Sequence, residues 1–151
     1  MAYSTTLNWT TGQTVTAAQM NAQVSVNMDV ANQNNIQFAM VGSLTSGTKA
    51  LRYISPYAQT VVNINGSVGV ASTTGAVIFD MLKTSAGGTT ATTLFTSSSK
   101  FVTLTSGVKD GTASVPDVTS ISSGDILTVK VVDDGSAAVS DATVIVSLSG
   151  A

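Results

Sequence analysis

The chain has 151 residues, a formal net charge of −2 and only 9% charged residues, against about 25% in ordinary soluble domains, and its length supports one domain with its own core. Its six Lys and Arg residues, scattered from Lys49 to Lys130, are too sparse to neutralise a run of phosphates or to form a polybasic patch, so neither nucleic acid nor membrane is an expected partner. All eight acidic residues are Asp, and there is no His and no Cys, which removes Ser-His-Asp triads, thiol nucleophiles, disulfides and the common zinc sites.

The first segment, Met1 to Trp9, reads as polar and extended. It has neither the basic start nor the apolar stretch of a signal peptide. No run of about 18 apolar residues follows anywhere, so release by lysis or inside a particle is the expected route out of a cell. Thr11-Gly12-Gln13 is a turn signal, and Thr16-Ala17-Ala18-Gln19 fits a capping box. Ala17, Met20, Val24, Met28 and Ala31 then recur at spacings of three and four, one apolar stripe of a short α-helix. Asn32, Asn34 and Asn35 end it. A helix of about four turns is marginal alone in water, so it should dock, on its own body or on a neighbouring subunit or larger assembly. The segment is too short for a core of its own, which favours a neighbour. The expected partner-binding residues are Trp9, Val15, Ala17, Met20, Val24, Met28 and Ala31.

From Gln37 onward the pattern changes to strands and turns every 8–12 residues or so, the signature of an all-β domain. Candidate strands are Gln37–Leu44, Ala50–Ile54, Thr60–Val70, Ala76–Leu82, Thr90–Phe95, Phe101–Thr105, Ile126–Asp133 and Ala142–Leu148. Glycines punctuate them, and Pro56 and Pro116 fall in connections where a missing N–H costs nothing. About eight strands suit a single jelly-roll-like β-sandwich. The expected organisation is an arm and helix over 1–35, serving attachment and oligomerisation, and a sandwich over 36–151.

Few residues here can carry chemistry. Two Asp side chains can in principle cleave a glycoside, and Asp80, Asp125 and Asp133-Asp134 are the candidates. Turn, cap and solvated roles suit them better, so no catalytic residue, enzyme activity or cofactor is expected. Asp133, Asp134 and Asp141 could bracket calcium in the last hairpin loop, although Asp133-Asp134-Gly135-Ser136 is also an ordinary turn sequence. Trp9, Tyr3, Tyr53 and Tyr57 are the candidates for stacking on sugar. Gly66-Ser67-Val68-Gly69 lacks a following helix to bind phosphate and reads as a strand flexed at a bulge.

Two sets of short motifs carry a resemblance. Trp9-Thr10-Thr11-Gly12-Gln13-Thr14-Val15-Thr16-Ala17-Ala18-Gln19-Met20-Asn21 is similar to a phrase at the start of phage tail and capsid-associated proteins. In the body, Leu51-Arg52-Tyr53, Thr74-Gly75-Ala76-Val77-Ile78-Phe79-Asp80, Thr93-Leu94-Phe95-Thr96, Pro116-Asp117-Val118-Thr119, Ser123-Gly124-Asp125-Ile126-Leu127-Thr128-Val129 and Ala142-Thr143-Val144-Ile145-Val146 resemble, in order, the sandwich module of bacteriophage virion structural proteins. The sequence departs from that pattern at Ser85-Ala86-Gly87-Gly88, where a tight Asn-Gly turn is usual, and at Ser99-Lys100-Phe101. The resemblance implies a virion component on the outside of the particle. The leading expectation is a head decoration or cement protein, forming homo-oligomers (trimers above all) and binding the major capsid protein or another virion protein. The alternative is a tail- or head-fibre module that binds host surface glycan.

Overall fold

Alternating apolar and polar residues give each strand one face for a core and one for solvent. The structure, a computed structural model, describes residues 34–113, 115–135 and 139–150. They form β1 (Asn34–Ser43), β2 (Gly47–Ile54), β3 (Gln59–Val70), β4 (Val77–Thr84), β5 (Ala91–Thr93), β6 (Val102–Leu104), β7 (Asp110–Thr112), β8 (Ser120–Ile121), β9 (Ile126–Asp134) and β10 (Ser140–Gly150). One 3₁₀ turn, Ser98–Lys100, lies between β5 and β6. The expected all-β class holds: the described chain makes two curled antiparallel sheets. Residues 1–33, with every expected partner-binding residue from Trp9 to Ala31, lie outside the described residues, whereas Asn34 and Asn35, grouped with the arm by the sequence, begin β1.

One sheet runs β1-β10-β3-β7, with β8 also on β3; the other runs β2-β9-β4-β5, with β6 also on β4. β5 pairs Leu82–Thr84 and β6 pairs Val77–Phe79, while β9 occupies the other edge of β4. Thus β5 and β6 lie end to end as one interrupted strand. β7 and β8 do the same along β3, opposite Asn65–Ser67 and Gln59–Thr60. The ten strands therefore fill eight positions. All eight candidate strands appear; the two that the pattern missed, β7 and β8, are only three and two residues long.

The core lies between the sheets. Val61, Ile64 and Val68 of β3 and Val144, Val146 and Leu148 of β10 meet Val77, Phe79 and Met81 of β4 and Leu127, Val129 and Val131 of β9. Each such side chain, fully buried, contributes about 1.5–3 kcal/mol. Gly66 marks a close approach of the two sheets: a Cβ there would lie 2.7 Å from Val102 Cγ1 and 3.1 Å from Phe79 Cδ2. The expected bulge over Gly66–Gly69 is corrected accordingly. β3 keeps regular pairing with β10 there, and its register shift falls between Asn63 and Val61.

Candidate functional site

Inward Val77, Phe79 and Met81 put Asp80 on the outer face of β4, yet it is only 5% exposed. Its Oδ1 accepts from Thr93 Oγ1 at 2.6 Å, and Thr93 Oγ1 accepts from the Phe95 N–H at 3.1 Å. Burial pushes the Asp80 carboxyl above its ordinary value; the Thr93 hydroxyl, the Lys130 ammonium and the backbone at Met81 pull the other way. Asp117 accepts from the Thr96 N–H at 2.7 Å, from Thr96 Oγ1 at 2.8 Å and from Lys100 Nζ. The Lys100 bond and the two from Thr96 hold its carboxyl at about 2.

Asp125 is 3% exposed. It accepts from the Ala86 N–H at 3.0 Å and the Ser122 N–H at 2.9 Å, with Lys83 Nζ at 3.6 Å. Burial alone would raise its carboxyl, but those two N–H groups and Lys83 outweigh it, so it sits below the usual range. These three aspartates all lie in the short body motifs Thr74–Asp80, Pro116–Thr119 and Ser123–Val129. Asp80 ties its motif to Thr93, and Asp117 ties its own to Thr96.

The structure does not bring Asp80 and Asp125 together. Lys130 pairs with Asp80, five residues along β9 from Asp125, roughly 16 Å at about 3.3 Å per residue. Paired glycosidase carboxylates stand about 5–9.5 Å apart. Asp133, Asp134 and Asp141 accept separately from the N–H groups of Gly135, Ser46 and Gly42. No group of three acidic residues among the described residues is arranged to hold a metal. In Ser97-Ser98-Ser99-Lys100, Ser97 Oγ lies 2.9 Å from Ser99 Oγ and Lys100 pairs with Asp117.

Tyr53 is committed to structure. Its hydroxyl lies 2.8 Å from Gln59 Oε1, and its ring packs on the core. Ser55 Oγ has one proton but two acceptors in reach, Tyr57 O at 2.7 Å and Gln59 Oε1 at 2.9 Å. Gln59 Nε2 meanwhile has no partner. Tyr57 is half exposed and its hydroxyl accepts from Asn34 Nδ2 at 2.8 Å.

The feature that sequence reasoning missed is a groove of about 350 Å³ on the outer face of the β2-β9-β4-β5 sheet, lined by Lys49, Arg52, Thr84, Gly88, Ile126 and Thr128, among others. Lys49 and Arg52 are three residues apart on a strand, so strict alternation sends them to opposite faces. β2 instead slips against β9: Thr48 opposes Lys130 and Arg52 opposes Thr128, four residues against two. This irregularity brings both cations to one groove, as bulges often re-aim side chains. Neither joins an ion pair among the described residues. Lys49 Nζ donates to Thr45 O, and to Thr45 Oγ1 at 3.1 Å.

The facing rim is the turn Ser85–Gly88, closed by the Gly88 N–H to Ser85 O at 2.8 Å. Gly87 takes φ +71°, which a non-glycine residue adopts only at a cost. Asp125 holds the turn from below through Ala86. A second, smaller hollow on the other sheet, about 200 Å³, is lined by Asn65, Ser67, Asp110 and Thr112. There Thr112 Oγ1 already donates to Asn65 Oδ1 at 2.6 Å.

Comparison with protein-family models, with curated proteins and with solved structures gives no match for this chain.

Proposed function

We propose that this chain is a structural protein of a bacteriophage virion, a head decoration or cement protein that attaches through residues 1–35 and displays its sandwich outward as a homo-oligomer on the major capsid protein. One observation carries the reading. The phage-like motifs interlock through their own side chains, Asp80 with Thr93 and Asp117 with Thr96, so their order in the sequence is also a set of contacts that holds one fold. The finer reading of that fold is a jelly roll. It is supported by the orders β1-β10-β3-β7 and β2-β9-β4-β5 and by the eight strand positions they fill.

A reassembly experiment tests attachment. Particles that lack this chain are mixed with the full chain or with a form missing residues 1–33, which leaves β1 whole, then sedimented. Full chain should pellet with heads and the shortened form should stay in solution. If both pellet equally, attachment through the arm is wrong. The second reading, a fibre module that binds host glycan, is favoured by the cationic groove on the outer sheet face.

A further inference from the structure

The groove between β2 and the Ser85–Gly88 turn sets two cations opposite a fixed rim. Its ends differ in chemistry. Arg52 offers a planar fork of donors and Lys49 a point charge at one rim. The floor carries the methyl-bearing Thr84 and Thr128 with Ile126, a surface of hydroxyls beside apolar carbon. The turn opposite is fixed on both sides. Asp125 accepts from Ala86, and a Cβ on Gly124 would come within 3.0 Å of Ala86 Cβ. A rim held this way has little motion to lose on binding.

The charge count narrows the ligand. Three of the chain's six cations, Lys49, Arg52 and Lys130, lie on or beside this face. Asp80 is buried beside Lys130, and Asp133 and Asp134 lie at the far end of β9, where they accept from the Gly135 and Ser46 N–H groups. Two cations in a groove answer one or two negative groups, not a charge on every unit of a polymer. Among the described residues no aromatic ring lines the groove, and single-stranded nucleic acid needs such rings for stacking. Hydroxyl donors beside an aliphatic floor suit a sugar ring, whose edge is polar and whose face is C–H.

We infer that this groove binds an anionic saccharide, a sugar bearing a carboxylate, sulfate or phosphate that Arg52 and Lys49 engage while the ring lies over Ile126 and Thr128. The inference rests on the groove and holds wherever the chain resides. An acidic peptide is the competing occupant.

The test is calorimetric titration of the full chain with sialyllactose, a sulfated lactose and glucose phosphate, each beside its neutral parent sugar, and with a pentaglutamate peptide. At least one anionic sugar should bind about tenfold or more tighter than its parent, the worth of one charge-assisted contact. Its affinity should fall as salt shortens the screening length below about 10 Å. Arg52→Ala should weaken it about tenfold, and Arg52→Lys less, because the charge stays while the fork is lost. Asp110→Asn, on the other sheet, should leave it unchanged. Arg52 is exposed and outside any described ion pair, and thermal unfolding of the same samples checks that the variants are folded. Equal binding of charged and neutral sugars, undiminished binding by a Lys49→Ala/Arg52→Ala protein, or tighter binding of pentaglutamate than of every anionic sugar would each overturn the inference.

Discussion

The Asp80 carboxylate accepts from the Thr93 hydroxyl at 2.6 Å, joining the middle of β4 to the end of β5 on the outer face of the sheet. Burial raises the Asp80 carboxyl, so the folded chain holds that proton more tightly than the unfolded chain does. Stability from this group therefore falls as pH rises from 3.8 through the raised value. Asp80→Asn keeps an acceptor for Thr93 and removes the charge. Its melting temperature at neutral pH should equal or exceed the parent's, and the gap should close in acid. Asp80→Ala removes the acceptor of Thr93 and should cost about 0.5–1.5 kcal/mol. A neutral-pH loss in Asp80→Asn as large as in Asp80→Ala would show that the charge itself is needed.

Asp117 behaves in the opposite sense. Its carboxyl is lowered from 3.8 to about 2, first by Lys100 and then by Thr96. The stabilisation is present above 3.8 and is lost as pH falls toward about 2. Asp117→Asn should melt below the parent at neutral pH, and the two melting curves should converge at the acid end. Parallel curves across that window would contradict the assignment.

Gly66 is required by packing. With a Cβ only 2.7 Å from Val102 Cγ1, Gly66→Ala should cost about 1–3 kcal/mol through overpacking. Val102→Ala opens space at the same point, so the double variant should cost less than the sum of the two single changes. Simple additivity by denaturant melts would mean that this contact is not the limiting one.

The body should fold without the arm. Every buried hydrophobic residue of the described core lies between Phe38 and Leu148. A fragment spanning 34–151 is expected to give β-type circular dichroism and one cooperative thermal transition. An unfolded fragment would make residues 1–33 part of the folding unit.

The strands that were legible in the sequence are those whose period is long enough to see. β9 and β10 alternate over nine and eleven residues. β7 and β8 are not legible because pairing with β3 creates them, and no pattern within three or two residues encodes that. A turn or cap role describes Asp125 at its turn; Asp80 lies in a strand, as the pattern over Ala76–Leu82 expects, and it is the burial of its side chain across the sheet that the pattern does not encode. The groove was hidden for a geometric reason. Period-two reading separates Lys49 from Arg52, and only the slip of β2 against β9 unites them.

The virion reading is tested most directly by gold-labelled antibody to the sandwich, applied to intact phage particles and viewed by electron microscopy. A head decoration protein predicts label in many copies spread over the head surface. Label confined to the tail, or absent from intact particles, would contradict it.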